Sequence, residues 1–288
     1  MESIISYENR GAWGDSSYRG NTSGHVIKDL IQQFNPNPRK FIEVFSGGGT
    51  GRDVAKTLNL NSLHLDLNNG WDALVDDIPY GADFIFSHPP YWNMINYQKY
   101  NNYHKNDISN GLSYDEFIYQ LDKINAKIYQ SLLNDGRHAT LIGDIRKKGK
   151  YYSIMKDMTW FGDLESHIIK TQHNYRSKNK NYTNNRFVPI VHEHILVFKK
   201  KQIWAVPLKR TITQTFDLRQ FKNITWRDLI QGAIEWLGGK ACLKDIYNVI
   251  QGSKKTLNNQ NWQAKIRQTL QRHDNFYAIQ NGVWSLTI

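Results

Sequence analysis

Two short segments contain the residues whose types and spacing could do chemistry. Residues 43–51 read EVFSGGGTG, and they follow a predicted buried strand and open a predicted helix. Glycines at such a corner let the backbone approach a cofactor, and Asp66, at the end of the next predicted strand, could grip two ribose hydroxyls. The pattern indicates a nucleoside-containing cofactor, although a tight turn beside an ordinary surface acid is the alternative. The absence of G-x-G-x-x-G makes a dinucleotide the weaker hypothesis.

The second segment, residues 87–92, reads SHPPYW and also follows a predicted buried strand. Its two prolines stiffen the backbone at the edge of the sheet where a substrate would lie. Methylation of an aromatic amine requires groups that accept the two amine hydrogens, and His88 and the Pro89 carbonyl could be those acceptors. Tyr91 offers a ring on which an extruded base could stack, because the amine is out of reach inside a duplex. A stiff, packed turn without chemistry is the alternative.

Together these segments resemble the DNA amino-methyltransferase family. EVFSGGG is similar to the family's D-P-F-x-G-x-G cofactor motif, with Glu43 for Asp and Val44 for Pro, and HPPY is similar to its [DNS]-P-P-[YFW] catalytic motif. Residues 18–31, YRGNTSGHVIKDLI, are similar to the family's segment that packs on the methionine moiety of the cofactor. The resemblance implies S-adenosylmethionine as cofactor and methyl transfer to adenine N6 in double-stranded DNA, with cytosine N4 as the close alternative.

Position by position, the resemblance implies two sets of site residues. The catalytic set is His88, Pro89, Pro90 and Tyr91. The cofactor set is Asn21, Ser23, Glu43, Phe45, Ser46, Gly47, Gly49, Asp66 and Ser87.

His88 departs from the family, which has Asp, Asn or Ser at this position. A neutral imidazole has one acceptor nitrogen, and protonation removes it. We therefore expect activity to fall below about pH 6.5, the ordinary pKa of histidine. The departure leaves the target base open and also permits a non-catalytic DNA-binding regulator with the same fold. An RNA or small-molecule methyltransferase is a third hypothesis, since the glycine motif is compatible with those substrates.

The elements that must position these residues alternate along the first two hundred residues. Strands are predicted at 40–45, 62–67, 82–87, 138–145 and 192–200, and helices at 26–34, 52–59 and 114–133. The last helix is expected to stop at the turn-like residues Asn134-Asp135-Gly136, before the strand at 138–145. That rhythm predicts an α/β fold whose sheet is mostly parallel with helices on both faces. The family resemblance implies that this is a Rossmann-like methyltransferase sheet. Ligands of such sheets bind at the carboxyl ends of the strands. The expected domains are 1–200 for the methyltransferase, 201–224 for a linker and 225–288 for a second domain.

Residues 225–288 predict three helices followed by a hairpin that turns at Asn281-Gly282. The stretches WRDLIQGAIEWLGGKACLKDIY, NNQNWQAKIRQTLQRH and FYAIQNGVWSL resemble a HARE-type winged helix, which implies a small DNA-binding domain. We expect the four tryptophans of this region to pack in its core; they are Trp226, Trp236, Trp262 and Trp284.

The charge of the chain is concentrated near its end. Residues 199–288 hold 15 Lys and Arg against 5 Asp and Glu, whereas residues 1–198 hold 22 against 21. This asymmetry favours a C-terminal domain that faces nucleic acid. The candidate DNA contacts are Arg146, Lys147, Lys148 and Lys150 in a basic loop, Arg176, Lys178, Lys180 and Arg186 in a polar loop at 172–187, and Lys254, Lys255, Lys265 and Arg267 near the end. Solvated charge runs are the alternative for both loops.

Other features narrow the class of protein. The single cysteine, Cys242, excludes an internal disulfide and fits a reducing cytoplasm. No metal site is expected, because His192 and His194 alternate along one strand without a carboxylate or cysteine cluster. No long apolar run or leader-like N-terminus is present, so we expect a cytoplasmic protein without a membrane partner. A cognate restriction endonuclease is the partner expected if the chain is part of a restriction-modification system.

Overall fold

The computed structural model describes residues 1–97, 104–173, 188–201, 208–209, 217–220 and 224–287. The chain divides into two compact units, Met1–Thr211 and Ile212–Ile288. Four predicted DNA contacts, Arg176, Lys178, Lys180 and Arg186, lie outside the described residues, as does most of the predicted linker.

The first unit is an α/β structure built on one large sheet. Its strands are β1 (Ile4–Ile5), β2 (Phe41–Val44), β3 (Ser62–Leu65), β4 (Ala82–Ser87), β5 (Leu132–Ile142), β6 (Ile145–Lys147), β7 (Lys150–Tyr152), β8 (Trp160–Phe161), β9 (Asp163–Thr171), β10 (His192–Lys199) and β11 (Leu208–Lys209). Its helices are α1 (Gly24–Phe34), α2 (Thr50–Thr57), α3 (Tyr114–Ser131) and α4 (Ile154–Asp157).

The large sheet has seven strands in the order β1-β9-β10-β5-β4-β2-β3. Strand β2 pairs in parallel with β3 and β4, and β4 pairs in parallel with β5. Strand β10 is antiparallel to both β5 and β9, so the sheet is mixed. The sequence did not predict β9, because its residues are largely polar and only Ile168 is fully buried. Such a strand lacks the apolar run that identifies a buried one.

Buried residues lie on both faces of the sheet, as the rhythm of strands and helices predicts. In β4, Phe84 and Phe86 face the core that α1 and α2 cover, while Ile85 faces the core that α3 covers. Strands buried on both sides read as continuous apolar runs rather than alternating ones. Helix α3 begins at a capping box in which Ser113 and Glu116 bond each other's backbone N–H groups.

Two predicted loops have a different form. Strand β5 begins directly after α3, so the turn expected at residues 134–136 lies inside a long strand. The pairing of β5 with β4 shifts register there, and Asp135 has φ +62°, so these turn-like residues form a bulge. The basic loop is the hairpin β6–β7, whose turn residues Lys148 and Gly149 have φ +49° and +78°. Two successive positive φ angles are the geometry of a type I′ hairpin turn.

The second unit has its own hydrophobic core and a three-stranded antiparallel sheet in the order β12-β14-β13. Its elements are α5 (Trp226–Trp236), β12 (Lys240–Cys242), α6 (Leu243–Ile250), α7 (Lys254–Leu257), α8 (Trp262–Arg272), β13 (Phe276–Gln280) and β14 (Val283–Leu286). The three helices and the hairpin lie where the sequence predicts them, and β12 and α7 are additional.

Three of the four tryptophans in this unit pack against its core, but Trp236 is 82% exposed. The prediction for Trp236 is wrong because the buried stripe of α5 runs through Leu229, Ile230, Ala233 and Ile234. At about 100° per residue, position 236 lies about 90° around the helix from the centre of that stripe, and it is the last residue of α5. In the part of the chain that the structure describes, no helix is long and apolar enough to cross a membrane.

Candidate functional site

The two motif corners lie side by side at the carboxyl edge of the sheet. Val44, the last residue of β2, is in register with Leu65 of β3 and with Ser87 of β4. The backbone N–H of His88 donates to the Val44 carbonyl at 3.3 Å, which joins the proline corner to the strand that precedes the glycine turn. Topology therefore brings EVFSGGG, Asp66 and HPPY to one edge.

One cavity opens between these corners, and we call it the corner cavity. Counting its mouth, it encloses about 800 Å³. Among the predicted cofactor residues, those lining it are Asn21, Glu43, Phe45, Ser46, Gly47 and Asp66, and the proline corner adds His88 and Pro90. The lining of this cavity combines a few polar groups with aromatic side chains and backbone, as ligand sites do.

The glycine turn is held in an unusual backbone conformation. Phe45 has φ +64°, and Gly47 and Gly49 have φ +45° and +78°. A bulky residue in the left-handed region is strained, and such strain persists where the surrounding structure requires it, often at ligand sites.

Gly48 and Gly51 were missed by the sequence analysis, and each is required by close packing. A Cβ atom on Gly48 would lie 2.4 Å from Asn21 Nδ2, and one on Gly51 would lie 2.3 Å from Glu43 Oε1. The segment upstream of α1 therefore packs directly on the glycine turn. Asn21 also accepts a hydrogen bond from the Gly48 N–H through Oδ1, at 3.2 Å. The sequence did carry a signal for Gly48 and Gly51, because both are glycines of the same motif segment as Gly47 and Gly49.

Asp66 is buried at the end of β3 and lines the corner cavity. Its Oδ2 accepts from the Gly47 N–H at 2.8 Å, and its Oδ1 accepts from the Asn68 N–H at 3.0 Å. Burial raises the pKa of Asp66, and the two hydrogen bonds oppose that rise. An ionised carboxylate has about four acceptor positions, so these two bonds leave acceptor capacity for a hydroxyl group of a ligand.

Glu43 also lines the corner cavity, but its carboxylate is already engaged. Oε1 accepts from the Gly51 N–H at 3.1 Å, and Oε2 lies 2.8 Å from Nδ1 of His64. Burial raises the pKa of Glu43, while the contacts with His64 and Gly51 oppose the rise. A carboxylate at the first turn of a helix interacts favourably with its dipole. Both oxygens of Glu43 are therefore engaged, and its side chain links α2 to β2 rather than being free to bind a ligand.

Three predicted cofactor residues do not line the corner cavity: Ser23, Ser87 and Gly49, the last of which is the N-cap residue of α2. Ser23 caps α1, and its hydroxyl bonds the backbone carbonyls of Asn9 and Arg10. Ser87 is 1% exposed, and its hydroxyl lies 2.7 Å from Nε2 of His138. Both side chains serve the packing around the site, since the motif resemblance gives chain position and not the direction of a side chain.

Two buried hydroxyls of the corner cavity lack partners. Thr22 and Thr50 both line it, and among the described residues neither Oγ1 has a hydrogen-bond partner. Buried polar groups in native proteins are nearly always satisfied, because an unmade hydrogen bond is costly. These hydroxyls are therefore available to a polar ligand. Sequence reasoning did not identify either residue.

An aromatic pair forms another wall of the corner cavity. The rings of Tyr18 and Tyr97 stack with their centroids 5.8 Å apart. The Tyr97 hydroxyl packs so closely on Gly20 that a Cβ there would lie 2.5 Å away. Burial raises the pKa of Tyr18, so its phenol is neutral at physiological pH. This pair offers an apolar surface beside the polar groups of Asp66, Thr22 and Thr50.

The proline corner presents His88 within a chain of polar contacts. Nε2 of His88 lies 3.0 Å from the Tyr91 hydroxyl, which donates to Glu193 Oε1 at 2.7 Å. Lys170 in turn donates to Glu193 Oε2 at 2.6 Å. The Tyr91 ring packs against Gly143, where a Cβ would lie 2.5 Å from the ring. Sequence reasoning missed Glu193 and Lys170, because the strands that bring them to His88 are distant in sequence.

Burial lowers the pKa of His88 to about 4, although the charge of Glu193 opposes the shift. The imidazole is therefore neutral at pH 6.5 and well below it. The expectation that activity falls below about pH 6.5 assumed an ordinary, solvated histidine, and the burial of His88 moves the expected fall to lower pH. Burial also raises the pKa of Glu193, but Lys170 and His88 outweigh that effect and the net shift is downward.

A second, larger opening adjoins the corner cavity, and we call it the outer cleft. It encloses about 2350 Å³ including its mouth, and Pro89 and Tyr91 line it. His88 lines both the outer cleft and the corner cavity. A group held in the outer cleft could therefore meet a ligand of the corner cavity at His88.

The hairpin β6–β7 contributes Arg146 and Lys147 to the lining of the outer cleft. Residues 146–150 are all exposed. Lys147 Nζ lies 4.4 Å from the ring centre of Trp92, and Lys150 Nζ lies 5.0 Å from that of Tyr152. These cation–π contacts orient the side chains while their charge stays accessible. The four basic residues predicted here, including Lys148, thus lie together on one hairpin.

The basic residues predicted in the second unit lie on its helices. Lys254 and Lys255 are in α7, and Lys265 and Arg267 are in α8. Arg267 donates to the Tyr247 hydroxyl at 3.0 Å. Their role as DNA contacts stays a prediction.

The histidines of β10 lie near one carboxylate. His194 Nε2 lies 3.5 Å from Asp144 Oδ2, and His194 Nδ1 lies 3.1 Å from Nε2 of His167. Asp144 follows β5, which is the neighbour of β10 in the sheet. Across the described parts of the chain, however, no group of three or more His, Cys, Asp or Glu side chains is arranged to hold a metal ion.

No protein-family model and no curated protein matches the sequence. Among solved structures, TehB from Haemophilus influenzae is similar with a TM-score of 0.38 and 11% identity, over 62% of each chain. A candidate DNA modification methylase from Thermus thermophilus, complexed with S-adenosyl-L-methionine, matches with a TM-score of 0.29 and 17% identity over 58% of each chain. Phosphoethanolamine N-methyltransferase 2 from Haemonchus contortus, in complex with S-adenosyl-L-methionine, matches with a TM-score of 0.35 and 13% identity. The match covers 62% of this chain and 53% of that one.

The chain thus spans about half to three fifths of the length of these three structures. These are distant likenesses to S-adenosylmethionine-dependent methyltransferases. The function proposed below rests on the geometry of the two corners instead.

Proposed function

We propose that this chain is an S-adenosylmethionine-dependent methyltransferase that acts on the exocyclic amine of a base in double-stranded DNA. Adenine N6 is favoured, and cytosine N4 is the alternative. One observation carries the proposal: His88 lines both the corner cavity, whose walls include Asp66 and the glycine turn, and the outer cleft, which has basic residues in its lining. At that position, the His88 side chain could contact both the methyl donor in the corner cavity and the base in the outer cleft.

The corner cavity fits the cofactor through three independent features. Asp66 has acceptor positions left for the ribose hydroxyls, and the glycine turn brings backbone to the cavity wall. The unpartnered hydroxyls of Thr22 and Thr50 suit the polar ends of the ligand. When bound there, S-adenosylmethionine would supply an electrophilic methyl group on its sulfonium.

The proline corner would hold the amine. A neutral His88 nitrogen and the Pro89 carbonyl can each accept one amine hydrogen, which directs the nitrogen lone pair away from them. The depressed pKa of His88 keeps its acceptor available across the physiological range. Tyr91 would offer its ring to the extruded base from the outer cleft.

Two basic surfaces support DNA as the substrate. The hairpin β6–β7 places Arg146 and Lys147 at the outer cleft, where phosphates flanking an extruded base would lie. The second unit, which we propose to be a winged helix, adds the strongly basic C-terminal segment. Charge of this kind supplies sequence-independent affinity for the duplex.

The test is methyl transfer by the full chain from methyl-labelled S-adenosylmethionine to a mixed duplex DNA library. Nucleoside mass spectrometry then separates N6-methyladenine from N4-methylcytosine. We expect label in DNA, lost in Asp66→Ala and His88→Ala. Duplex DNA should also outcompete RNA. Tight DNA binding without transfer would favour the non-catalytic regulator, and preferred labelling of RNA would overturn the proposed substrate.

A further inference from the structure

We propose that Glu193 is a positioning residue that acts through Tyr91 to fix the tautomer of His88, so that Nδ1 is the nitrogen that accepts the amine hydrogen. The inference rests on the proposed function and extends it to residues outside both motifs. It is carried by the contact chain Lys170–Glu193–Tyr91–His88.

The first step concerns the charge on Glu193. The Lys170 ammonium lies 2.6 Å from its Oε2, and the two side chains are 13% and 9% exposed. A buried carboxylate with a directly bonded ammonium is ionised at neutral pH. An ionised carboxylate only accepts hydrogen bonds, so the Tyr91 hydroxyl must donate to Glu193.

The second step follows from the single hydrogen of a phenol. Tyr91 uses it for Glu193 at 2.7 Å, so its oxygen can only accept from His88 at 3.0 Å. Nε2 of His88 must therefore carry a hydrogen. Because burial keeps this imidazole neutral, Nδ1 carries none and holds the acceptor lone pair.

The third step is why the tautomer needs to be fixed. The oxygen of Asp, Asn or Ser accepts a hydrogen bond in any protonation state in which it is ordinarily found, whereas a neutral imidazole nitrogen accepts only when it lacks its hydrogen. A His88 with the hydrogen on Nδ1 would present a donor toward the amine and repel it. The ionised Glu193 removes that possibility, and Gly143 leaves the space that Tyr91 needs.

The test uses the full chain, with ¹⁵N-labelled histidine and Glu193→Gln as the principal variant. The glutamine amide can donate to the phenol oxygen, which frees the Tyr91 hydrogen to bond His88 Nε2. We expect the Nδ1 and Nε2 resonances of His88 to exchange character and the methyl-transfer rate to fall about 100-fold or more. Binding of S-adenosylmethionine should be unchanged. Glu165→Gln, which breaks the exposed pair with Arg137, is the matched control and should alter none of these.

Tyr91→Phe provides the second arm, because Glu193→Gln leaves Lys170 without its partner and can destabilise the fold. Tyr91→Phe keeps the Lys170–Glu193 pair and removes only the hydroxyl. If Glu193 acts through Tyr91, the rate penalty of Glu193→Gln should vanish in the Tyr91→Phe background. If the rate penalties of Glu193→Gln and Tyr91→Phe simply add in the double variant, the inference is overturned.

A wild-type His88 with its hydrogen on Nδ1 would overturn the inference as well. The resonance measurement requires no turnover, so it decides the tautomer even for a protein that transfers no methyl group. Failure of the proposed function and failure of this inference are thus distinguishable.

Discussion

The backbone N–H of Gly47 donates a 2.8 Å hydrogen bond to Oδ2 of Asp66. This contact joins the turn after β2 to the first residue after β3, so two walls of the corner cavity hold each other in place. A ligand entering the cavity finds the carboxylate already oriented. Such preorganisation lowers the ordering cost of binding.

Replacing Thr50 by Val should weaken binding of S-adenosylmethionine about 5- to 10-fold, a loss of about 1 kcal/mol expected for one hydrogen bond. Valine has the shape of threonine without the unpartnered hydroxyl, so the melting temperature should stay equal or rise slightly. Calorimetric titration and thermal unfolding measure the two effects. Thr57→Val in the same helix is the control for affinity, because the Thr57 hydroxyl already donates to the Asp53 carbonyl and accepts from Trp13 Nε1. Unchanged affinity in Thr50→Val would show that the ligand does not use this hydroxyl.

Protonation of His88 should not reduce the rate of methyl transfer between about pH 8 and about pH 5.5. Burial lowers the pKa of His88 to about 4, so the acceptor nitrogen is lost only as the pH approaches that value. Tyr91, Glu193 and Lys170 are the titratable groups that face it, and Glu193 has a lowered pKa. Single-turnover rates across this range measure the profile. His88→Asn, which has no titrating group here, is the comparison. A wild-type midpoint near 6.5 would mean that the imidazole is solvated.

Changing Lys148 to Asn should remove one charge from the hairpin without disturbing its turn. Lys148 has φ +49°, a conformation that Asn tolerates better than Lys, so stability should be equal or slightly higher. The slope of log affinity for DNA against log salt should become shallower by about 1 if Lys148 meets a phosphate. Fluorescence anisotropy at several salt concentrations measures the slope. Lys123→Gln on α3 removes an exposed charge elsewhere in the same unit and should leave the slope unchanged. Equal slopes in both variants would exclude a phosphate contact by Lys148.

His138 should make the fold less stable in acid. Burial lowers its pKa to about 3, whereas an unfolded histidine titrates near about 6.5, so below that pH the unfolded chain binds an additional proton. Stability is complete above about pH 6.5 and falls by at most about 1.4 kcal/mol per pH unit toward the folded pKa. Urea unfolding of His138→Gln at several pH values should show a shallower acid slope. His273→Gln, at the exposed end of α8, should keep the wild-type slope.

The motifs and the core strands could be predicted from the sequence because each has a local signal. Largely apolar runs mark β2 and β4, and glycines and prolines mark the corners that follow them. Strand β9 has no such signal, since its many polar residues pair along the backbone while their side chains stay partly exposed. The turn expected at 134–136 was wrong because tertiary pairing placed those residues in a bulge.

The chemistry of the site was predictable only in part. The two motifs indicated His88 and Asp66, but Glu193 and Lys170 reach His88 through strand pairing that no local pattern shows. The unpartnered hydroxyls of Thr22 and Thr50 are a property of packing and are invisible in a sequence. The pKa of His88 depends on burial, so the pH at which His88 becomes protonated could not be predicted from residue type alone.

The contact between Gly51 and Glu43 has a consequence for how this protein can vary. A side chain at position 51 would occupy the space of the Glu43 carboxylate, since a Cβ there lies 2.3 Å from Oε1. Homologues that carry alanine at this position should therefore carry the shorter aspartate at position 43. The two sites should change together in evolution, and a homologue with alanine beside an unshortened glutamate should have its second helix moved outward.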